Sequence, residues 1–317
     1  MGIFKESPPE DVAYYKSLMA KHNKYYDMYM DKDESVDIFH YTSPNAFLQI
    51  LENNSLRFTD REYLNDYGES TYVVNLSVEV AKELELDNKF KDFFIGKCLK
   101  ELKEEESFRV YQCSFSVNPD SLCLWNYYTK GDTIKGYNLG FDSLELVEAL
   151  SPTLKPEDDG AFPAIYHGRV NYDTQEQKRI IKDIILEFNE LYVNQGDIKM
   201  RFRTSEVLFA LLSVIGFFFK NECFKIEEEY KIIMVLFDDG EDLYGIEQEQ
   251  QFMEKDGYFI PYVDIPFEPS VLGRIGISPT MDIETTIKSI RRMISKEHYD
   301  HLRFGNGIVP SAIPVRY

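Results

Sequence analysis

Apolar and polar positions alternate along this chain in two periods, and the switches between them mark its elements. Ile38-Phe39-His40-Tyr41-Thr42, Leu56-Arg57-Phe58-Thr59 and Arg109–Val117 have the short, β-rich character of strands. Between the first two, Ser43-Pro44 opens a helix with Pro in its first turn, and Ala46, Phe47, Ile50 and Leu51 form its apolar face. An acidic loop, Asp60–Tyr67, leads into a further helix near Glu69, and 82–106 has the charged, Leu- and Phe-dotted pattern of solvated helices. Leu122, Leu124, Trp125 and Tyr128 follow at helical spacing after the turn Pro119-Asp120-Ser121. Gly131 and Gly136 bracket a hairpin-like connection into a strand over Tyr137–Phe141.

The second half continues in the same manner. Ala164–Tyr172 predicts a strand, Thr174 caps a long amphipathic helix to about Tyr192, and Thr204-Ser205-Glu206 caps an apolar helix ending near Lys220. Lys225–Phe237 (KIEEEYKIIMVLF) predicts the strongest strand. An acidic loop over 238–251 comes next, then strands at Tyr262–Ile265 and Arg274–Ile277, a helix at Ile283–Ser295 and a terminal strand at Ile313–Tyr317. Ahead of all this, 1–37 is a helical lead-in starting at Ser7-Pro8-Pro9-Glu10. With no repeat and no Pro/Gly/Ser linker, 38–317 forms one α+β domain. The expected architecture is a split, largely antiparallel sheet with flanking helices and a central cleft.

Composition narrows the function. Apolar residues make up 44% of the 317, enough for a large core, and the net charge of −20 opposes bulk binding to nucleic acid or anionic membrane. The longest mostly apolar run, Val207–Phe219, is 13 residues, short of the ~20 that span a bilayer. No secretory pattern stands at the N-terminus, so the expected compartment is the cytoplasm. Cys98, Cys113, Cys123 and Cys223 are scattered as reduced core thiols are, and neither they nor His22, His167, His298 and His301 show metal-ligand spacing.

Two places could carry chemistry. Glu227 and Glu229, two apart on a strand, would project from one face, where they repel unless a cation or hydroxyl lies between them. The plainer account is an edge strand whose acids face water or pair with Lys225 or Lys231. His40-Tyr41-Thr42 ends a strand, where a His can hydrogen-bond a ribose or phosphate and a Tyr can stack on a ring; the plainer account is core packing. Ser114 and Ser116 share a strand face. Trp125 and Tyr128 could stack on a ligand but are an ordinary core spacing, and Asn65, Asp66 and Glu69 could bind a cation or simply order a loop.

The ordered segments FHYTSPNAFLQIL, LNDYGE, CSFSVNPDSLCLWNYY with GYNLGFD, FKNECFKIEEEYKI and SAIPVRY resemble a bacterial family catalogued as domain of unknown function twenty-nine seventy-one. The resemblance runs from about Ile38 to the C-terminus, departing at Phe224, where Trp is expected, and at Lys231, where Arg is. More distantly, a strand ending in His, then helix, strand and a later acidic strand, resembles ADP-ribosyltransferases. That second resemblance implies NAD as substrate, His40 as ribose anchor with Tyr41 and Thr42 beside it, and Glu229 as catalytic acid with Glu227 orienting the acceptor. It also implies Ser114 or Ser116 bracing the glutamate and Tyr128 as nicotinamide platform. Two readings follow. One is an NAD-dependent ADP-ribosyltransferase of the toxin or phage-defence kind, with a macromolecular acceptor (or water, as an NAD glycohydrolase). The other is a catalytically silent nucleotide-sensing or protein-binding module on the same scaffold. His40 and Glu229 converging on one cleft would favour the enzyme; their separation would favour the module.

Overall fold

The computed structural model describes residues 13–14, 17–18, 21–22, 24–25, 34–64, 69–100, 108–128, 134–151, 165–238, 243–244, 249–295, 299–302 and 307–314. Eleven described strands form one open, largely antiparallel sheet. They are β1 (Asp37–Thr42), β2 (Ser55–Asp60), β3 (Phe108–Ser116), β4 (Tyr137–Asp142), β5 (Ile165–Arg169), β6 (Glu229–Asp238), β7 (Leu243–Tyr244), β8 (Gln251–Lys255), β9 (Tyr258–Pro266), β10 (Leu272–Ile277) and β11 (Ile308–Pro310). The main path runs β11-β10-β4-β1-β3-β2-β9-β8, and only β10–β11 among the ladders is parallel. Strand β3 is the junction. Along one side it pairs with β6 over its full length, and its other side is shared by β1 at Ser116 and by β2 at Gln112 and Tyr111.

Helices cover both faces, because both faces of the central strands are apolar. Helices α1 (Pro44–Asn53), α5 (Ser143–Leu150) and α8 (Ile283–Ile294) cover the first face, packing on Ile38, Phe58, Tyr111, Phe115, Leu139, Tyr230 and Ile232. The second face carries α2 (Glu69–Glu83), α3 (Asn88–Lys100), α6 (Thr174–Asn194) and α7 (Ile198–Phe217) over Val110, Tyr166 and Ile233. Nearby, α4 (Leu122–Tyr128) seats Leu124 and Trp125 on Phe39 and Tyr41. The lead-in joins the second layer: Leu18 and Tyr25 are buried in it, and the Tyr14 hydroxyl lies 2.8 Å from that of Thr204.

Several boundaries differ from expectation. The long helix does begin at Thr174, but Asp173 caps it by accepting from Gln175 and Glu176 N–H. The apolar helix starts about two turns earlier than its Thr-Ser-Glu signal, capped by Asp197, and Thr204 and Ser205 lie buried inside it. Their hydroxyls bond back to the Met200 and Phe202 carbonyls, which makes them tolerable there. The strand expected from Lys225 begins only at Glu229; Glu222–Glu227 is a 3-10 helix. The stretch 238–251, expected as an acidic loop, holds β7 and the first residue of β8. No strand forms at 311–314: β11 precedes it, Ile313 packs beside the α4 cluster, and 315–317 lie outside the described residues. So do Ser7–Glu10, Asn65, Asp66, His298, Gly131, the run 101–106 and the Glu69 side chain.

Candidate functional site: a buried charge cluster on the sheet

The turn before β6 brings the acids together. Asn221 caps the 3-10 helix through the Cys223 N–H, and Glu228 then adopts a left-handed conformation (φ 45°) that swings the chain into β6. Glu227 and Glu229 therefore do not share a strand face by alternation. They converge through this turn on Lys220, which follows α7: Nζ lies 2.8 Å from Glu227 Oε2 and 3.2 Å from Glu229 Oε2. Lys231, two residues along the same face of β6, adds a second ammonium 3.8 Å from Glu229 Oε2. Glu229 is 6% exposed and Lys231 0%. Strand β6 is flanked by β3 and β5, so the expected solvent-facing edge is corrected to an interior strand. Lys225, the other expected partner, is exposed.

Each charge has a structural employment. Lys231 Nζ donates to the Phe217 carbonyl and Arg61 to that of Gly216, so two cations serve the C-terminal end of α7, where the helix dipole is negative. Lys220 also lies 4.7 Å from the Phe224 ring centroid. The Glu229 amide donates to the Tyr172 hydroxyl, whose own pKa burial pushes up. Two carboxylates and two ammoniums make a neutral set, the arrangement that lets buried charge persist. Glu228 is exposed.

The register decides which expected residues share this face. Phe39 pairs with Ser116, and Ser116 with Glu229, so Tyr41, Ser114 and Ser116 lie on the same sheet face as Glu229. His40 and Thr42 alternate onto the opposite face, where His40 meets the Phe115 ring at 5.6 Å between centroids. The His40 Nδ1–H donates to the Ser114 carbonyl at 3.0 Å. Desolvation lowers the His40 pKa, with that hydrogen bond opposing it, so the ring is neutral near pH 7 and Nε2 is an acceptor.

Tyr41 and Ser116 are engaged in holding the connecting segments, and Ser114 in a bond within its own strand. The Tyr41 hydroxyl donates to the Asn118 carbonyl at 2.7 Å and accepts from the Ser121 N–H at 3.0 Å; burial raises its pKa to about 12. Ser116 Oγ donates to the Glu227 carbonyl at 2.7 Å, bracing the backbone of the acidic turn rather than a carboxylate. Ser114 Oγ accepts from the Gln112 amide. Trp125 is buried with its Nε1–H on Asp120 Oδ1, which also accepts from Ser311, and Tyr128 is exposed. Trp125 is therefore core. Cys98 and Cys113 are buried free thiols as expected, Cys123 is half-buried, and Cys223 is exposed.

Three buried polar residues, two of them on the cluster's sheet face, carried no signal in the sequence. Lys220 is seven and nine residues from its carboxylates, a spacing no periodicity marks. Gln112 is buried, with its Oε1 lacking a partner. Asp60 at the end of β2 is buried, and desolvation raises its carboxyl to about 6. Among the described residues no cluster of His, Cys, Asp or Glu could hold a metal ion, and no helix is long and apolar enough to cross a membrane.

Fold and site thus define a mixed α/β protein whose largely antiparallel sheet buries a neutral lysine–glutamate cluster. The family described as protein of unknown function (DUF2971) matches the chain over residues 124–232, which supports the resemblance to that family. The matched stretch runs from Leu124 to Ile232 and contains the whole cluster. No curated protein and no solved structure matches the chain.

Proposed function

We propose that this chain is a catalytically silent binding module in which Glu227 and Glu229 are structural. The observation that carries the reading is the placement of His40 and Glu229 on opposite faces of one sheet. Glycosyl transfer from NAD would need the ribose anchor and the carboxylate at a single ligand. Glu229 is also already matched by Lys220 and Lys231, which leaves it less negative field to offer a developing oxocarbenium ion.

One observation favours the alternative. Tyr41, Ser114 and Ser116 share a sheet face with Glu229, and the half-buried Glu227 joins it at Lys220. An ADP-ribosyltransferase-like fold, NAD as substrate, a macromolecular acceptor or water, and a toxin or phage-defence role belong to that reading. Incubation with NAD labelled in both halves separates the two. The binding module releases no nicotinamide above the buffer rate and labels no macromolecule. Release that disappears in Glu229→Gln, with the variant folded, would overturn it.

A further inference from the structure

The sheet path ends at β8, and no described strand pairs with its outer edge. None of the five β8 residues is buried, and an edge strand of this kind can take a further strand through its outward N–H and C=O groups. Large apolar surface gathers at the same place: Phe252 is 59% exposed and Phe259 72%. Phe252 pairs with Pro261 and Glu254 with Phe259, so Phe252, Glu254 and Phe259 project from one face of the hairpin, the two rings diagonal to each other. The arm is held stiff. Asp256 (φ 54°) and Gly257 (φ 85°) form the tight tip favoured between twisted strands, and the Gly257 N–H donates to Glu254 Oε1 at 2.8 Å. Behind it, Arg57 grips Asp264 through two hydrogen bonds and lies 3.7 Å from the Tyr262 ring centroid.

We propose that β8 is a docking edge for an extended segment of a partner protein that carries an aliphatic and a basic residue two positions apart. A strand is the occupant that satisfies a row of backbone groups, and the pleat imposes the period of two on its side chains. On the face shared by Phe252 and Glu254, an aliphatic position covers Phe252 and a basic position two residues away faces Glu254. A chain of net charge −20 draws a basic segment and repels both nucleic acid and a second copy of itself. Charged residues that merely guard an edge against pairing would account for Lys255, but not for two exposed phenylalanines held on the same arm.

This surface deepens the binding-module reading and rests on it. The nicotinamide assay reports that reading separately, so failure of one is distinguishable from failure of the other. The test uses the full chain and three blocked threonine octapeptides: one with a valine and a lysine two positions apart, one with the same two residues adjacent, and one with a valine and a glutamate two positions apart. The peptide with valine and lysine two positions apart should bind and slow amide exchange in β8. The other two should bind at least tenfold more weakly. Phe252→Ala with Phe259→Ala should lose tenfold or more at unchanged melting temperature, and Glu254→Lys should shift preference toward the glutamate peptide. No binding, equal affinity for the two basic peptides, protection away from β8, or parental affinity in the double alanine variant would overturn the proposal. A dimer abolished by the alanine pair would instead assign the edge to a second copy and overturn it too.

Discussion

Asp60 illustrates how far a single residue's chemistry departs from its sequence context. In the sequence it opens an acidic loop; in the fold it is buried at the end of β2, accepting the Glu62 N–H, and desolvation raises its pKa to about 6. Because the folded value exceeds the unfolded one of about 3.9, folding is favoured by this group below pH ~4 and that contribution is lost as pH rises through 6. A shift of about two units corresponds to about 3 kcal/mol. Asp60→Asn keeps the cap acceptor and removes the titration. Its stability relative to the parent, from denaturant unfolding, should therefore rise by about that amount between pH 4 and pH 7. Parallel curves would reject the assignment. His40 departs in the other direction: its presence at a strand end was legible, but its face was not. That face depends on the pairing of Phe39 with Ser116, a contact between segments 77 residues apart. Local pattern contains no such register.

At the scale of elements, most strands and helices were legible because burial imposes its own period. Strand β6 carries Ile232 and Met234 to one layer and Ile233 and Val235 to the other, which is why it reads as a continuous apolar run. The boundaries missed were those where a local polar signal competes with tertiary burial, as at Thr204 and Ser205. Helix α7 also shows why its packing is specific. A Cβ on Gly216 would lie 2.5 Å from Val73 Cγ1 of α2. Gly216→Ala gains helix propensity of about 1 kcal/mol, but Val73 is β-branched and stiff in a helix. Overpacking of this kind costs about 1–3 kcal/mol, so net destabilisation is expected in chemical denaturation, with recovery when Val73→Ala is added. An unchanged midpoint for Gly216→Ala alone would contradict this packing.

For the whole molecule, the sheet's two covered faces are what separate the expected site into parts. The mixed, largely antiparallel character followed from the alternation of short strands and amphipathic helices. What one sequence could not reveal is that β3 serves β1, β2 and β6 at once and so distributes His40 and Glu229 to different layers. Lys220 was equally hidden, since only the path from α7 through the 3-10 turn returns it to Glu227 and Glu229. The central claim is that these charges hold the structure together. The most direct measurement is the unfolding free energy of Glu229→Gln beside Glu228→Gln and the parent. Removing one partner from a buried ion pair leaves the other uncompensated and typically costs about 3–5 kcal/mol. Glu229→Gln should lose stability on that scale, with partial recovery on adding Lys231→Met, while the exposed Glu228→Gln stays within about 0.5 kcal/mol of the parent. A catalytic acid held in a destabilised site behaves oppositely. Glu229→Gln unfolding at or above the parent's denaturant midpoint would contradict the account.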